Sequence, residues 1–271
     1  MEKGWKAALS LMDIVWEDRQ ANYEKASVLA EKAYAAGADL LLLPEMSFTG
    51  FSMNTEKTAE TCPYESVERM KALSEKFPHM AIAFGYAGWK GTELKAYNCM
   101  EVVQDGNSLM HYEKIHPFTY GEEGRHFGAG EEIAACEING VKVSGFICYD
   151  LRFPEIFQIS SRQSEFIFVL ANWPKERAMH WKLLLQARAV ENQCYVAGVN
   201  RIGEGGGLIY EPGSLAFDPL GNLLAGEFYG IGGEEGFLLI EADTEKVWSL
   251  RSDFPLKEDR REKLYRQWYG E

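Results

Sequence analysis

Short apolar runs alternate with longer stretches that carry apolar residues at helical spacing, and this rhythm covers most of the chain. Asp39 to Leu43 is almost purely leucine, the pattern of a strand buried on both faces. Lys6–Leu11, Met80–Trp89, Phe166–Leu170, Tyr195–Arg201, Ser214–Phe217 and Gly236–Ala242 read as further strands. Two hairpins are predicted, Ala96–Lys114 turning at Asp105-Gly106, and Glu132–Cys148 turning at Asn139-Gly140. Arg19–Ala36, rich in Ala, Glu and Lys, is predicted helical, with Gly37 placed to stop it. Ser66–Phe77 repeats Val67, Met70, Leu73 and Phe77 at helix spacing, and Phe153–Gln163 and Met179–Asn192 are two more helices. Gly203–Gly207 reads as a short loop and Asp218-Pro-Leu-Gly221 as a turn. Beyond Asp243 the chain turns charged and aromatic, ending in a predicted helix over Asp259–Tyr269.

Strands alternating with helices make this an α/β chain. No Pro/Gly/Ser linker divides its 271 residues, so the reading is one domain over 1–271, with 246–271 as a C-terminal extension. The two halves share a rhythm of helices and strands, without a sequence repeat. Apolar runs such as Leu40–Leu43 are far too short to span a bilayer, and the N-terminus lacks an apolar signal segment. A net charge of −13, with no basic stripe, argues against a nucleic-acid partner. Five cysteines with no C-x-x-C pair argue against zinc and thioredoxin-like sites and fit a reducing compartment, here the cytoplasm.

Three strand ends carry candidate chemistry. At Phe146-Ile-Cys148-Tyr-Asp150 a strand gives way to a helix, a junction that exposes a side chain and aims backbone N–H groups at developing negative charge. A thiol there can have a lowered pKa and act as nucleophile; the alternative is a buried structural cysteine. Leu41-Leu-Leu-Pro-Glu45 sets a carboxylate just past an apolar strand, where a raised pKa suits general acid–base work, the alternative being a solvated glutamate. Tyr112-Glu-Lys114-Ile-His116 ends a strand before a proline, where an ammonium can hold an oxyanion or lie exposed.

The ordered set Glu, Lys, Cys, in Leu-Pro-Glu45-Met-Ser-Phe-Thr-Gly-Phe51, Tyr-Glu-Lys114-Ile-His and Cys148-Tyr-Asp-Leu-Arg-Phe-Pro-Glu155, closely resembles the nitrilase (carbon–nitrogen hydrolase) superfamily. The likeness continues through Ala171-Asn-Trp-Pro174, His180-Trp181, Ala187-Arg-Ala-Val-Glu-Asn192 and Val199-Asn-Arg201, and is nearest the omega-amidase branch. It implies a four-layer α-β-β-α sandwich, packed as a homodimer, that hydrolyses small linear amides of the 2-oxoglutaramate or 2-oxosuccinamate type. It implies Cys148 as nucleophile, Glu45 as general base and acid, Lys114 with the Tyr149 backbone N–H as oxyanion donors, and no metal or cofactor. The family's second glutamate is assigned to Glu122, with Glu123 beside it as the alternative. Arg152, or less favoured Arg201, is a candidate cation for a distal carboxylate, and Phe118, Trp173 and Phe51 are candidate pocket walls; each has a plain structural alternative. His116 and His180 are read as structural hydrogen-bonders rather than members of a Cys–His dyad.

Competing readings keep the triad for an N-carbamoyl amino acid or a nitrile, or make Cys148 the sensor thiol of a non-catalytic, redox-responsive binding protein. A sensor has no need of a general base, so Glu45 and Lys114 weigh against that last reading.

Overall fold

The apolar strands assemble into two sheets in the computed structural model, which describes residues 4–270. Met1–Lys3 and Glu271, the ends of the predicted domain, lie outside the described residues. The larger sheet runs in the order Glu227–Gly232, Glu235–Ala242, Trp5–Leu11, Leu40–Leu42, Ala81–Trp89, Ala96–Gln104, Asn107–Glu113, with short Ala59–Glu60 also paired to Ala81–Trp89. The smaller runs Leu215–Phe217, Tyr195–Asn200, Phe166–Ala171, Val141–Ile147, Ala135–Ile138. Each has a trio of parallel strands at its centre and antiparallel strands outside, which accounts for the shared rhythm of the two halves.

Strand alternation explains why the central runs are apolar throughout. Ala7, Leu9, Leu40, Leu42, Ala81 and Ala83 face the second sheet, in one core with Phe146, Phe168 and Leu170. Their neighbours Ala8, Leu41, Ile82 and Phe84 face the helices Arg19–Ala35 and Glu65–Ser74. The helix Arg19–Ala35 is capped by Asp18 and buries Asn22, Tyr23, Ala26, Leu29, Ala30 and Ala33 on one side. The helices Pro154–Ser160 and Ala178–Asn192 cover the outer face of the second sheet through Phe157, Trp181, Leu185 and Ala189. The result is the four-layer α-β-β-α sandwich.

Both predicted hairpins turn where expected, with Asp105-Gly106 and Asn139-Gly140 each in the left-handed region that a tight two-residue turn requires. Several elements are not legible in the sequence. Gly203–Gly207 is no plain loop: Gly203–Gly205 pairs with Leu208–Tyr210 around Gly206-Gly207, both at positive φ. Glu227–Gly232 forms a sheet edge, its two glycines, Gly230 and Gly232, and the bulge between them masking any alternating pattern. The C-terminal stretch forms two helices, Glu245–Asp253 and Glu262–Tyr269, of which only the second was foreseen.

Candidate active site

Glu45, Lys114 and Cys148 come from separate strand ends and meet between the sheets. Leu40–Leu42 runs parallel to both its neighbours and Val141–Ile147 parallel to Phe166–Ala171, and their carboxyl ends open on one edge of the sandwich. Ala96–Gln104 and Asn107–Glu113 reverse the direction twice, which returns the chain to that edge just as Lys114 follows. The Lys114 backbone N–H donates to the Asn98 carbonyl at 2.9 Å and fixes the exit from the strand.

Glu45 is fully buried. Its Oε1 accepts from Lys114 Nζ at 3.0 Å and Asn98 Nδ2 at 2.8 Å, and its Oε2 accepts from the Asn172 backbone N–H at 2.9 Å. Asn172 returns its side-chain amide to the Glu45 carbonyl at 2.6 Å. A close strand approach makes this possible: a Cβ on Gly85 would lie 2.5 Å from the Met46 nitrogen and 2.9 Å from Glu45 Cα. Only glycine lets the Glu45 loop lie so close to the strand Ala81–Trp89.

Of the two adjacent candidates, the structure brings Glu123, not Glu122, to Lys114. Glu123 is fully buried; Lys114 Nζ donates to its Oε1 at 3.1 Å and its Oε2 at 2.9 Å, and Asn98 Nδ2 donates to Oε1 at 2.9 Å. Glu122 takes a left-handed backbone at φ 62, points outward and pairs with Arg125 at 2.7 Å. That single backbone reversal decides which of two adjacent carboxylates enters the protein. Burial and the nearby Glu45 charge raise the Glu123 pKa, against the lowering pull of Lys114. Burial opposes the Lys114 charge, yet Glu123 and Glu45 outweigh it and raise the ammonium's pKa above the ordinary lysine value.

Cys148 occupies the junction at φ 45, a strained conformation for a residue with a side chain. Its Sγ lies 4.0 Å from the Asn172 carbonyl. The lowered thiol pKa expected from the sequence is not found. Burial first, then the Glu45 charge, push the thiol well above its ordinary value, and Lys114 offsets only part of this. These influences favour the neutral thiol over the thiolate.

Asp150 locks the turn after Cys148 to the Lys114 loop: its Oδ2 accepts from Tyr112 Oη at 2.8 Å, its Oδ1 from the His116 backbone N–H at 3.0 Å. His116 Nδ1 also meets Asp150 at 2.8 Å while its ring stacks on Phe153, and His180 reaches only Arg152, at 3.5 Å. Neither histidine touches Cys148 by hydrogen bond. Arg188 donates to the Leu151 carbonyl at 2.8 Å and holds the same turn from behind.

Phe51, Phe118, Tyr149, Arg152 and Trp173 line one narrow pocket with Lys114 and Cys148. Its enclosed space is about 50 Å³. Arg201, the other candidate cation, is wholly buried behind the pocket, bonded to Asp13 and to the carbonyls of Ile14, Ile202 and Glu204, and stacked on Tyr210 at 4.7 Å. It holds the small hairpin in place and cannot reach a substrate. Arg177, Leu208 and Tyr210 also line the pocket and were missed, as was Asn98, although an asparagine in an apolar strand signals a buried partner. Among the described residues no cluster of His, Cys, Asp or Glu is arranged to hold a metal.

A model of the carbon-nitrogen hydrolase family matches residues 6–243. The chain is 34% identical to 2-oxoglutaramate amidase of Bacillus subtilis (strain 168), covering 96% of this chain and 99% of the relative. It is 34% identical to the omega-amidase YafV of Escherichia coli (strain K12), covering 82% and 84%. Among solved structures, a CN-hydrolase superfamily protein from Xanthomonas campestris, with an arsenic adduct in its active site, superposes with a TM-score of 0.83 at 29% identity, covering 95% of this chain and 97% of that one. An amidase from Nesterenkonia sp., with the acetamide moiety of fluoroacetamide added covalently at its active-site cysteine, gives 0.83 at 26% identity over 98% and 97%. With the sandwich, the ordered strand ends and a family match over most of its length, the chain belongs to the carbon–nitrogen hydrolase family.

Proposed function

We propose that the protein is an omega-amidase, which hydrolyses the terminal amide of a small linear 2-oxo acid such as 2-oxoglutaramate to the acid and ammonia. The observation that carries this reading is the buried Glu45–Lys114–Glu123 network beside the Cys148 thiol, in a narrow pocket with guanidinium at its side. The similarity to 2-oxoglutaramate and omega-amidases supports the choice of substrate.

The raised thiol pKa defines the first step. Cys148 Sγ attacks the amide carbon as its proton passes to Glu45, so charge never rests on an isolated sulfur. Lys114 and the Tyr149 backbone N–H receive the negative charge that develops on the carbonyl oxygen. Glu45 then passes the proton to the leaving nitrogen; ammonia departs and a thioester remains. Water, deprotonated by Glu45, attacks the thioester carbon, and the thiol regains its proton as the acid leaves. Glu123 and Asn98 hold Lys114 and Glu45 in register throughout. Arg152, over the Trp173 ring at 4.8 Å, binds the substrate's distal carboxylate.

We further infer a homodimer. Ile159, Met179, Leu183 and Val190 are exposed on the helices outside the second sheet, and Trp268 and Tyr269 on the last helix. Their combined surface is the kind a second copy covers. All five cysteines are free, which supports a reducing compartment such as the cytoplasm. Among the described residues no helix is long and apolar enough to cross a membrane.

Ammonia release from 2-oxoglutaramate tests the reading. Turnover by the intact protein, lost in Cys148→Ala and in Glu45→Gln, supports it. Turnover that survives Cys148→Ala overturns the mechanism, and an intact protein inert on 2-oxoglutaramate but active on carbamoyl compounds or nitriles overturns the substrate.

A further inference from the structure

We propose that Arg177 is a second carboxylate-binding residue which, with Arg152, makes the pocket cationic at its mouth and so selects amides carrying an anionic group at the far end. This rests on the amidase reading above and concerns which amides the same site accepts.

Acidic residues outnumber basic ones in this chain by 41 to 28, so a buried or half-buried guanidinium ordinarily finds a carboxylate. Lys114 has two, and Lys175, two residues before Arg177, pairs with Glu211. Among the described residues neither Arg152 nor Arg177 has a carboxylate within ion-pair distance. Asp150, the acid nearest Arg152 in sequence, spends its oxygens on Tyr112, His116 and Ile147. Both guanidinium groups lie on aromatic faces instead, Arg177 on Phe118 at 5.5 Å and Arg152 on Trp173 at 4.8 Å and Tyr149 at 6.0 Å. Phe118 and Tyr149 are themselves in contact at 4.9 Å, and the Trp173 indole N–H donates to the Arg177 carbonyl at 2.8 Å. The contacts close a circuit around the pocket, with the two cations separated by aromatic walls and their N–H edges left without carboxylate partners.

The charge at the other end has the opposite sign. At that end Lys114 lines the pocket, and the two buried carboxylates of Glu45 and Glu123 are paired with its single ammonium. An anionic group is repelled there and attracted at the mouth, so a chain with an amide at one end and a carboxylate at the other enters amide first. A 2-oxo acid also offers a keto oxygen beside its carboxylate, more acceptors than one planar guanidinium can meet in-plane, and two guanidinium groups can share them.

The test compares kcat/KM for 2-oxoglutaramate with that for pentanamide, an uncharged amide of equal chain length, in the intact protein and in Arg177→Gln. The ratio is expected to fall by about 10- to 100-fold in the variant, mostly through KM, as loss of charge-assisted hydrogen bonds implies. Arg177→Lys should recover part of it, since a point charge replaces the fork. Glutarate binding to the Cys148→Ala protein, followed by calorimetry, should weaken at least tenfold on adding Arg177→Gln, with no turnover involved. Among the described residues the Arg177 side chain makes no hydrogen bond, and its backbone carbonyl can still accept from Trp173 in the variants, so both are expected to fold. A variant that keeps both the intact substrate ratio and the intact glutarate affinity overturns the proposal. An intact protein that prefers pentanamide overturns the substrate reading and this inference together, whereas one that cleaves neither amide strikes at the amidase reading first.

Discussion

The strand-end site and the C-terminal segment solve opposite problems with similar residues. At the site, Glu45, Lys114 and Glu123 are essentially without solvent contact, and Asn98 and Asn172 brace them. In the C-terminal segment, Glu262–Tyr269 buries no residue at all, and Glu245–Asp253 buries only Val247. Its charged side chains meet partners at a half-exposed surface, as Lys257 meets Ser161. A charge fixed in a dry site is strong and intolerant of change, while one at a wet surface is weak and replaceable. Position in the sandwich, more than residue type, sets the consequence of a substitution.

Lys114→Met should break the site most completely. It leaves two buried carboxylates facing one another, so urea unfolding is expected to show a loss of about 3–5 kcal/mol, with turnover reduced by at least about 10³-fold. The adjacent glutamates sharpen the contrast within a single dipeptide. Glu123→Gln should lower kcat by about 10²-fold, whereas Glu122→Gln should stay within about twofold, since it removes only a surface pair worth about 0–1 kcal/mol. Equal effects in steady-state assays would erase the distinction drawn between buried and exposed carboxylates.

In the C-terminal segment, Trp268→Ser with Tyr269→Ser should shift sedimentation toward the monomer with little change in the thermal midpoint. A variant that stays dimeric would show that the exposed aromatics serve another purpose. The smallest effect concerns Lys257. Burial, reinforced by the Arg251 charge, pulls its pKa from 10.5 down to about 8. A lysine with a depressed folded pKa costs stability while charged, and the cost lifts as pH rises from about 8 toward 10.5. Thermal melts should therefore show Lys257→Met gaining relative to the intact protein near pH 7 and losing that gain near pH 10. A pH-independent difference would mean the segment does not dock as described.

The same contrast explains what was legible in the sequence. Strands such as Leu40–Leu42 and Phe166–Ala171 are apolar on both faces because a sheet or helix covers each face, so composition alone reveals them. Glu45, Lys114 and Cys148 stood out through their order at strand ends, and the residues of the aromatic wall followed from nearby motifs. Spacing could not separate Glu122 from Glu123, because the choice rests on one backbone dihedral. Nor could it show that Arg201 points behind the pocket while Arg177 lines it, since both follow strand ends and only the Gly203–Tyr210 hairpin distinguishes their surroundings. The thiol pKa was misjudged for a related reason: the sequence reveals Lys114 near Cys148 but not the depth of burial that outweighs it.

The backbone at Cys148 leaves selection with a conflict of interest. At φ 45 a glycine would be more comfortable than any residue with a side chain, by about 1 kcal/mol. A library sorted for heat resistance alone would thus be drawn toward Cys148→Gly and would enrich inert protein. Only a screen that also demands product can keep the sulfur where the fold would rather not hold it.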